Sequence, residues 1–217
     1  MSEVVKGRRP YDASSRHQQA RASRRRVLAT ATQMFVERGY SDTTVPAVAR
    51  AAGVSPQNVY KAFRNKPGLL KAVFDVAMAG DDEPLAMIER EALIRVREEP
   101  DPREKLRLYG RFVADTTPRH TPIQLLARAA AATDPEAAAI WDELCAERLR
   151  GMTLFARSLA EHLRDDVTVD DARDLLWTHN SPELYDLLVN ARGWSPKKFG
   201  QWLSSSLIAA LLPQVLR

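Results

Sequence analysis

The segment Ser55-Pro56-Gln57-Asn58-Val59-Tyr60-Lys61-Ala62-Phe63 carries the side chains best suited to engaging another molecule. Gln57 and Asn58 each bear a carboxamide, which sets a donor beside an acceptor and can pair with N6 and N7 of adenine together. Both fall in the first turn of a helix predicted at 56–62. Ser55 is a good N-cap, and Pro56 suits the first helical position, where the amide it lacks has no partner to lose. Tyr60, Lys61, Lys66 and the hydroxyls of Thr43 and Thr44 are donors of the kind that hold phosphates, which position a protein on a duplex without reading its sequence. The chemistry on offer is hydrogen bonding to a nucleic acid, not bond making.

Side chains with that task need a rigid support, and the preceding residues supply one. Val27, Leu28, Ala31, Met34 and Phe35 form an apolar stripe on a helix predicted at 21–38. Val45, Val48, Ala49 and Ala52 do the same on a helix at 44–52, and Val59 and Phe63 on the third. Ala49 is small where two helices would cross, and Gly53 suits the positive-φ position that ends one helix and opens a turn. Two short helices so joined form a helix-turn-helix, whose second helix enters a DNA major groove. A three-helix bundle packed for its own sake would show the same stripes. Against it stand the polar outer face of the third helix and the charge: residues 1–71 hold 14 Lys and Arg against 4 acids, whereas the remainder holds 18 against 24. A net charge of +4 is thus the sum of a basic head and an acidic body.

With these residues in view, the chain resembles the tetracycline-repressor (TetR) family of bacterial regulators. The resemblance rests on residues 21–70: Gly39-Tyr40, Thr43-Thr44-Val45, Ala49-x-x-Ala52-Gly53-Val54-Ser55, Val59-Tyr60-x-x-Phe63 and Lys66-x-x-Leu69-Leu70. It implies that Thr44, Tyr60 and Lys66 touch phosphates and that Ser55, Pro56, Gln57 and Asn58 face bases. Lys61, where many members carry His or another aromatic, and Pro56, where Lys, Arg or a small residue is common, depart from the pattern. The resemblance further implies a homodimer on a palindromic double-stranded DNA operator and a small-molecule effector held by the body. A weaker similarity over Leu176-Trp177, Ser181-Pro182-Glu183-Leu184-Tyr185 and Gly193-Trp194-Ser195-Pro196 points to one branch of the family without naming an effector.

The expected organisation is a flexible basic arm at 1–20, a DNA-binding head at 21–81 with the helix-turn-helix at about 44–63, and a ligand-binding and dimerisation body at 82–217. The fold is expected to be all-α, because no Asn-Gly or Asp-Gly turn joins two alternating runs. Six N-cap–proline pairs, Ser55-Pro56, Asp101-Pro102, Thr121-Pro122, Asp134-Pro135, Ser181-Pro182 and Ser195-Pro196, mark helix starts. Together with the apolar period between them, they predict a further head helix at 67–79 and body helices at 84–99, 102–117, 122–132, 135–163, 169–179, 182–191 and 196–212.

Phe112, Met152, Phe155, Trp177 and Tyr185 are candidates to line a pocket for a lipophilic or aromatic molecule, although for each one separately ordinary core packing is the commoner explanation. Trp141, Phe199, Trp202, Leu203, Leu207 and Leu211 are candidates for a two-fold interface, because the last helix is apolar on most faces near its end. Burial within one protomer would serve them too.

Enzymatic elbows and phosphate loops of the Gly-x-Ser-x-Gly, Gly-Lys-Ser/Thr and Gly-x-Gly-x-x-Gly kinds are missing, so no catalysis and no cofactor are expected. His120, His162 and His179 lack metal spacing, and no metal is expected. The single Cys145 fits a reducing bacterial cytoplasm, and no run is apolar enough for a membrane span or a secretory signal. The rival to a ligand-responsive repressor is a nucleoid-type DNA-binding protein governed by a protein partner or by no ligand.

Overall fold

The computed structural model describes residues 13–81 and 87–214. Ten α-helices and no strand occur among them, in agreement with the all-α expectation. The head comprises α1 (Ala13–Arg38), α2 (Val45–Ala51), α3 (Pro56–Phe63) and α4 (Lys66–Ala79). The body comprises α5 (Glu91–Glu98), α6 (Pro102–Ala131), α7 (Pro135–Arg157), α8 (Val169–His179), α9 (Pro182–Tyr185) and α10 (Pro196–Leu211). Short 3₁₀ turns stand at Met87–Glu89 and Ala160–His162, and a π-helical turn, Asp186–Ala191, continues α9. The predicted arm lies outside the described residues as far as 12; its residues 13–20 belong to α1, so the first helix begins well before 21.

Local chemistry explains most of the boundaries. Ser55, Asp101, Asp134, Ser181 and Ser195 each cap the helix whose first turn holds the proline that follows them. The sixth pair fails. Thr121-Pro122 starts nothing, and α6 runs unbroken for 30 residues through Pro118 and Pro122. Both prolines are exposed, whereas Thr117, His120 and Thr121 are buried. The two missing amides therefore lie on the solvent side, and tertiary packing on the inner side holds the helix together despite the ~3 kcal/mol that an interior proline costs. The predicted 135–163 helix instead stops at Arg157, where Ser158 Oγ donates to Phe155 O at 2.7 Å and Leu159 turns fully inward.

The interior forms two clusters threaded by α6. In the first, Phe35, Val48, Val59, Leu69, Leu70 and Phe74 of the head pack with Ile123 and Ala127 of α6 and Ala137 and Leu144 of α7. The second joins Leu106, Tyr109 and Val113 of α6 to Met152, Leu176 and the inner face of α10. There α6 and α10 approach so closely at Gly110 and Gly200 that a Cβ on either would collide with the other's backbone carbonyl oxygen.

This crossing accounts, within one chain, for four of the residues expected at a two-fold interface. Phe199, Leu203, Leu207 and Leu211 are 0% exposed within the single chain, so their stripe faces α6 and α8 rather than a second protomer. Trp202 is half-buried, stacked on His179 with ring centroids 5.5 Å apart, and Trp141 packs half-buried on the first cluster. An apolar helix of this kind can be covered inside one chain because glycine on both partners lets the backbones meet.

Candidate nucleic-acid interface and cavity

The helix-turn-helix is built by its caps and its one glycine. Thr44 Oγ1 accepts from Ala47 N at 3.3 Å and starts α2. Gly53, at φ +67°, lets the chain reverse, and Val54 N donates back to Ala49 O at 3.0 Å. Ser55 Oγ accepts from Asn58 N at 3.3 Å and starts α3. Ala49 and Val48 are fully buried at the crossing, and Val59 and Phe63 are turned into the same core. The periodicity of α3 leaves Gln57, Asn58, Tyr60 and Lys61 on the outer face, with Tyr60 45% exposed. These four can reach a groove or a backbone without any rearrangement of the head.

Two expected phosphate contacts are placed differently. Thr43 is 1% exposed, and its hydroxyl lies within hydrogen-bond distance of Met34 O (3.1 Å) and Gly39 O (2.8 Å). It closes the α1–α2 turn instead of facing solvent, which removes it from the DNA contacts; Thr44, one residue on, is exposed. Lys66 sits with Nζ 3.9 Å from the Tyr40 ring centroid and donates to Ser41 O at 3.3 Å. Partial burial pulls its pKa down, against the charges of Asp134 and Asp42. The lysine thus braces the turn from which α2 departs. The sequence reading also passed over Arg64, an exposed cation just beyond α3 and, among the described residues, the sole non-glycine at positive φ (+69°). Its basic side chain after Phe63 was the available signal.

Behind the head, a cavity of about 800 Å³ opens between α4, α5, α6 and α7. Phe112, Met152 and Phe155 line it as expected. Trp177 and Tyr185 do not. The Trp177 ring lies beneath the Arg148 guanidinium at 4.3 Å, and Tyr185 is buried edge-on against Phe199 with centroids 5.2 Å apart. Phe74 and Met78 of α4 and Val96 of α5 complete much of the apolar wall.

The polar part of the wall was not legible as a group. His120 and Gln124, one helical turn apart on α6, are joined through Nδ1 and Oε1 at 3.0 Å, both nearly sealed from solvent. Burial, reinforced by the positive charges of Arg119 and Arg148, pushes the His120 pKa down to about 4, so the imidazole is neutral at physiological pH. Tyr109 Oη donates to Met152 Sδ at 3.3 Å, and burial raises its pKa. Arg148 Nη1 donates to Trp177 O at 3.1 Å and Asn180 O at 2.9 Å, the carbonyls that end α8. Lys71, at the side of the cavity, pairs with Asp75 at 2.7 Å and Glu147 at 3.3 Å. The arrangement is equipped to hold a molecule, and among the described residues no three His, Cys, Asp or Glu side chains gather as a metal-ligand set. No helix among those residues is long and apolar enough to cross a membrane.

Residues 27–73 match the model of bacterial regulatory proteins of the tetR family. The chain is 38% identical over 53 residues to the uncharacterised HTH-type transcriptional regulator YvkB of Bacillus subtilis (strain 168), a match covering 24% of this chain and 28% of that protein. It is 29% identical over 108 residues to the HTH-type transcriptional regulator AcrR of Shigella flexneri, covering 44% of this chain and 50% of the relative. The matched region thus spans between about a quarter and a half of these curated relatives. The fold extends further: the transcriptional regulator FadR from Bacillus subtilis, solved in complex with stearoyl-CoA, superposes with a TM-score of 0.67 over 85% of this chain and 97% of that one, at 17% identity.

Proposed function

We propose that this chain, a transcriptional regulator of the tetR family with a helix-turn-helix head, acts in the bacterial cytoplasm as a homodimeric repressor that a small lipophilic or aromatic molecule releases from a palindromic operator. The observation that carries this reading is the outward set Gln57, Asn58, Tyr60 and Lys61 on a head whose core is continuous with the wall of an 800 Å³ cavity. Gln57 and Asn58 supply base-edge contacts, and Thr44, Tyr60 and Lys61 supply phosphate contacts. The stearoyl-CoA held by FadR from Bacillus subtilis supports a small-molecule role for a body of this fold.

Release follows from the position of α4. Its first turns pack inside the head, whereas Phe74, Val76 and Met78 line the cavity. Its C-terminus is gripped from α6 by Arg119, whose Nε donates to Ala77 O at 3.1 Å and Nη2 to Met78 O at 3.5 Å. A molecule wedged between α4 and α6 shifts α4 and, through it, the spacing of two heads on DNA. A coupling of about 1–3 kcal/mol weakens operator binding roughly 5–150-fold.

Selection of bound sequences from random DNA, followed by mobility shift on the selected site, tests the reading. Gln57→Ala is expected to relax base preference and Tyr60→Ala to weaken binding to all sequences. Undiminished binding and preference in both variants would refute the assignment of α3. A wild-type protein that selects no sequence favours the nucleoid-type alternative.

A further inference from the structure

The charges around the cavity are unequally matched. The acids that line it are each answered by a cation: Asp75 and Glu147 by Lys71 at 2.7 and 3.3 Å, and Asp81 by Arg90 at 2.7 Å. Arg148 has no such answer. Among the described residues no carboxylate lies within ion-pair distance of it, and Glu183, the acid that acts on it through space, is itself bonded to Arg128 at 2.6 Å. Its hydrogen bonds to the end of α8 use Nη1 alone, which leaves Nε and Nη2 without a partner among the described residues. A guanidinium carries five N–H donors in a planar fork shaped to receive a carboxylate through two of them.

The neighbours of Arg148 are donors as well. Its charge is felt by both Tyr109 and His120. The Tyr109 hydroxyl donates to a thioether sulfur, a weak acceptor, and also interacts with the Asn180 side chain. The Gln124 amide N–H₂ is buried beside His120, whose ring nitrogen takes up its carbonyl end. Against this donor-rich end stands a long apolar wall of Phe74, Met78, Val96, Phe112 and Phe155.

We propose that the cavity binds a carboxylate carried on an apolar body, with the carboxylate seated on the free edge of Arg148 and within reach of Tyr109, and the body along the Phe112–Phe155 wall. The assignment rests on the reading of the cavity as an effector site and names the effector's chemical class. Burial disfavours the charged form of Arg148, and an anionic ligand relieves that cost. A cationic ligand would meet only acids that already hold Lys71 or Arg90. A neutral one leaves the guanidinium edge unanswered and desolvated.

The test needs no DNA. N-phenyl-1-naphthylamine, a neutral fluorophore, reports occupation of the cavity of the full chain. Decanoate, decanol and decyltrimethylammonium, each below its micelle concentration at pH 7.5, are then compared as displacers. A charge-assisted pair predicts that decanoate displaces the fluorophore at roughly tenfold to a hundredfold lower concentration than decanol, with the ammonium compound weakest. Arg148→Met is expected to erase that preference while retaining the fluorophore, and Arg148→Lys to keep part of it. Equal potency of the three wild-type displacers, or a lead for the ammonium compound, overturns the carboxylate assignment and leaves the effector cavity standing. Preference that survives in Arg148→Met overturns the role of Arg148. A wild-type chain that does not take up the fluorophore overturns the cavity reading together with this one.

Discussion

The neutral, sealed imidazole of His120 makes a quantitative claim about acid stability. Its ordinary pKa of about 6.5 applies in the unfolded chain, and the folded environment lowers it to about 4. Above pH 6.5 the ring is neutral in both states and contributes nothing pH-dependent. As the pH falls from 6.5 towards 4 the unfolded chain takes up a proton that the folded chain refuses, so folding weakens; below pH 4 both states are protonated and the loss levels off. At 1.36 kcal/mol per unit, the part of this window between pH 7.5 and pH 5 amounts to about 2 kcal/mol from this one ring. The causes that hold it neutral are identifiable: burial, with Phe74 edge-on at 5.8 Å, and the positive charges of Arg119 and Arg148, which together outweigh the opposing hydrogen bond to Gln124. Urea unfolding followed by circular dichroism at a fixed protein concentration, at pH 7.5 and at pH 5, compares wild type with His120→Gln. The variant is expected to lose about 2 kcal/mol less than wild type between the two pH values, whatever its absolute stability. If both proteins weaken equally, His120 is not held neutral by the cavity wall and the account of that wall is wrong.

The crossing of α6 and α10 predicts that Gly200→Ala costs roughly 1–3 kcal/mol of stability in thermal or urea unfolding, because the new Cβ meets the Gly110 carbonyl. Gly151→Ala on α7, where an added Cβ meets nothing within 4 Å, is expected to gain about 0.5–1 kcal/mol in the same measurement. Arg119→Met releases the C-terminus of α4 from α6; operator affinity without ligand is expected to stay within about threefold of wild type, while the weakening caused by saturating decanoate in a mobility-shift titration shrinks.

The head was readable from residue types alone because its signals are local. Ser55, Pro56 and Gly53 fix a cap, a first turn and a reversal within four residues, and the stripe of Val45, Val48 and Val59 follows a single period. Thr43 and Thr44 show where this legibility stops. The two are chemically identical, and only the path of the α1–α2 turn sends one hydroxyl inward and the other out. In the body the informative contacts are distant. Nothing near Phe199 or Leu207 tells whether their partner is a second chain or α6, because the deciding pair, Gly110 and Gly200, lies 90 positions apart. Thr121-Pro122 misled for the same reason, since its cap signal is overridden by packing from α4 and α7. His120, Gln124 and Arg148 form a group only once α6 and α7 are laid side by side.

The interior shared by the head and α6–α7 bears on how such a regulator could be taken apart or recombined. A cut after residue 81 would strip Ile123, Ala127, Ala137 and Leu144 from Leu69, Leu70, Val73 and Phe74, leaving a contiguous oily face on the excised piece. Hybrids that graft this head onto a foreign body therefore have to carry over the corner between α6 and α7 as well. Substitution is constrained in the same way: a change of side-chain volume in the head's interior is coupled to the residues some 60 positions downstream that pack against it. The head and the body are separable as stretches of chain, but not as folded pieces.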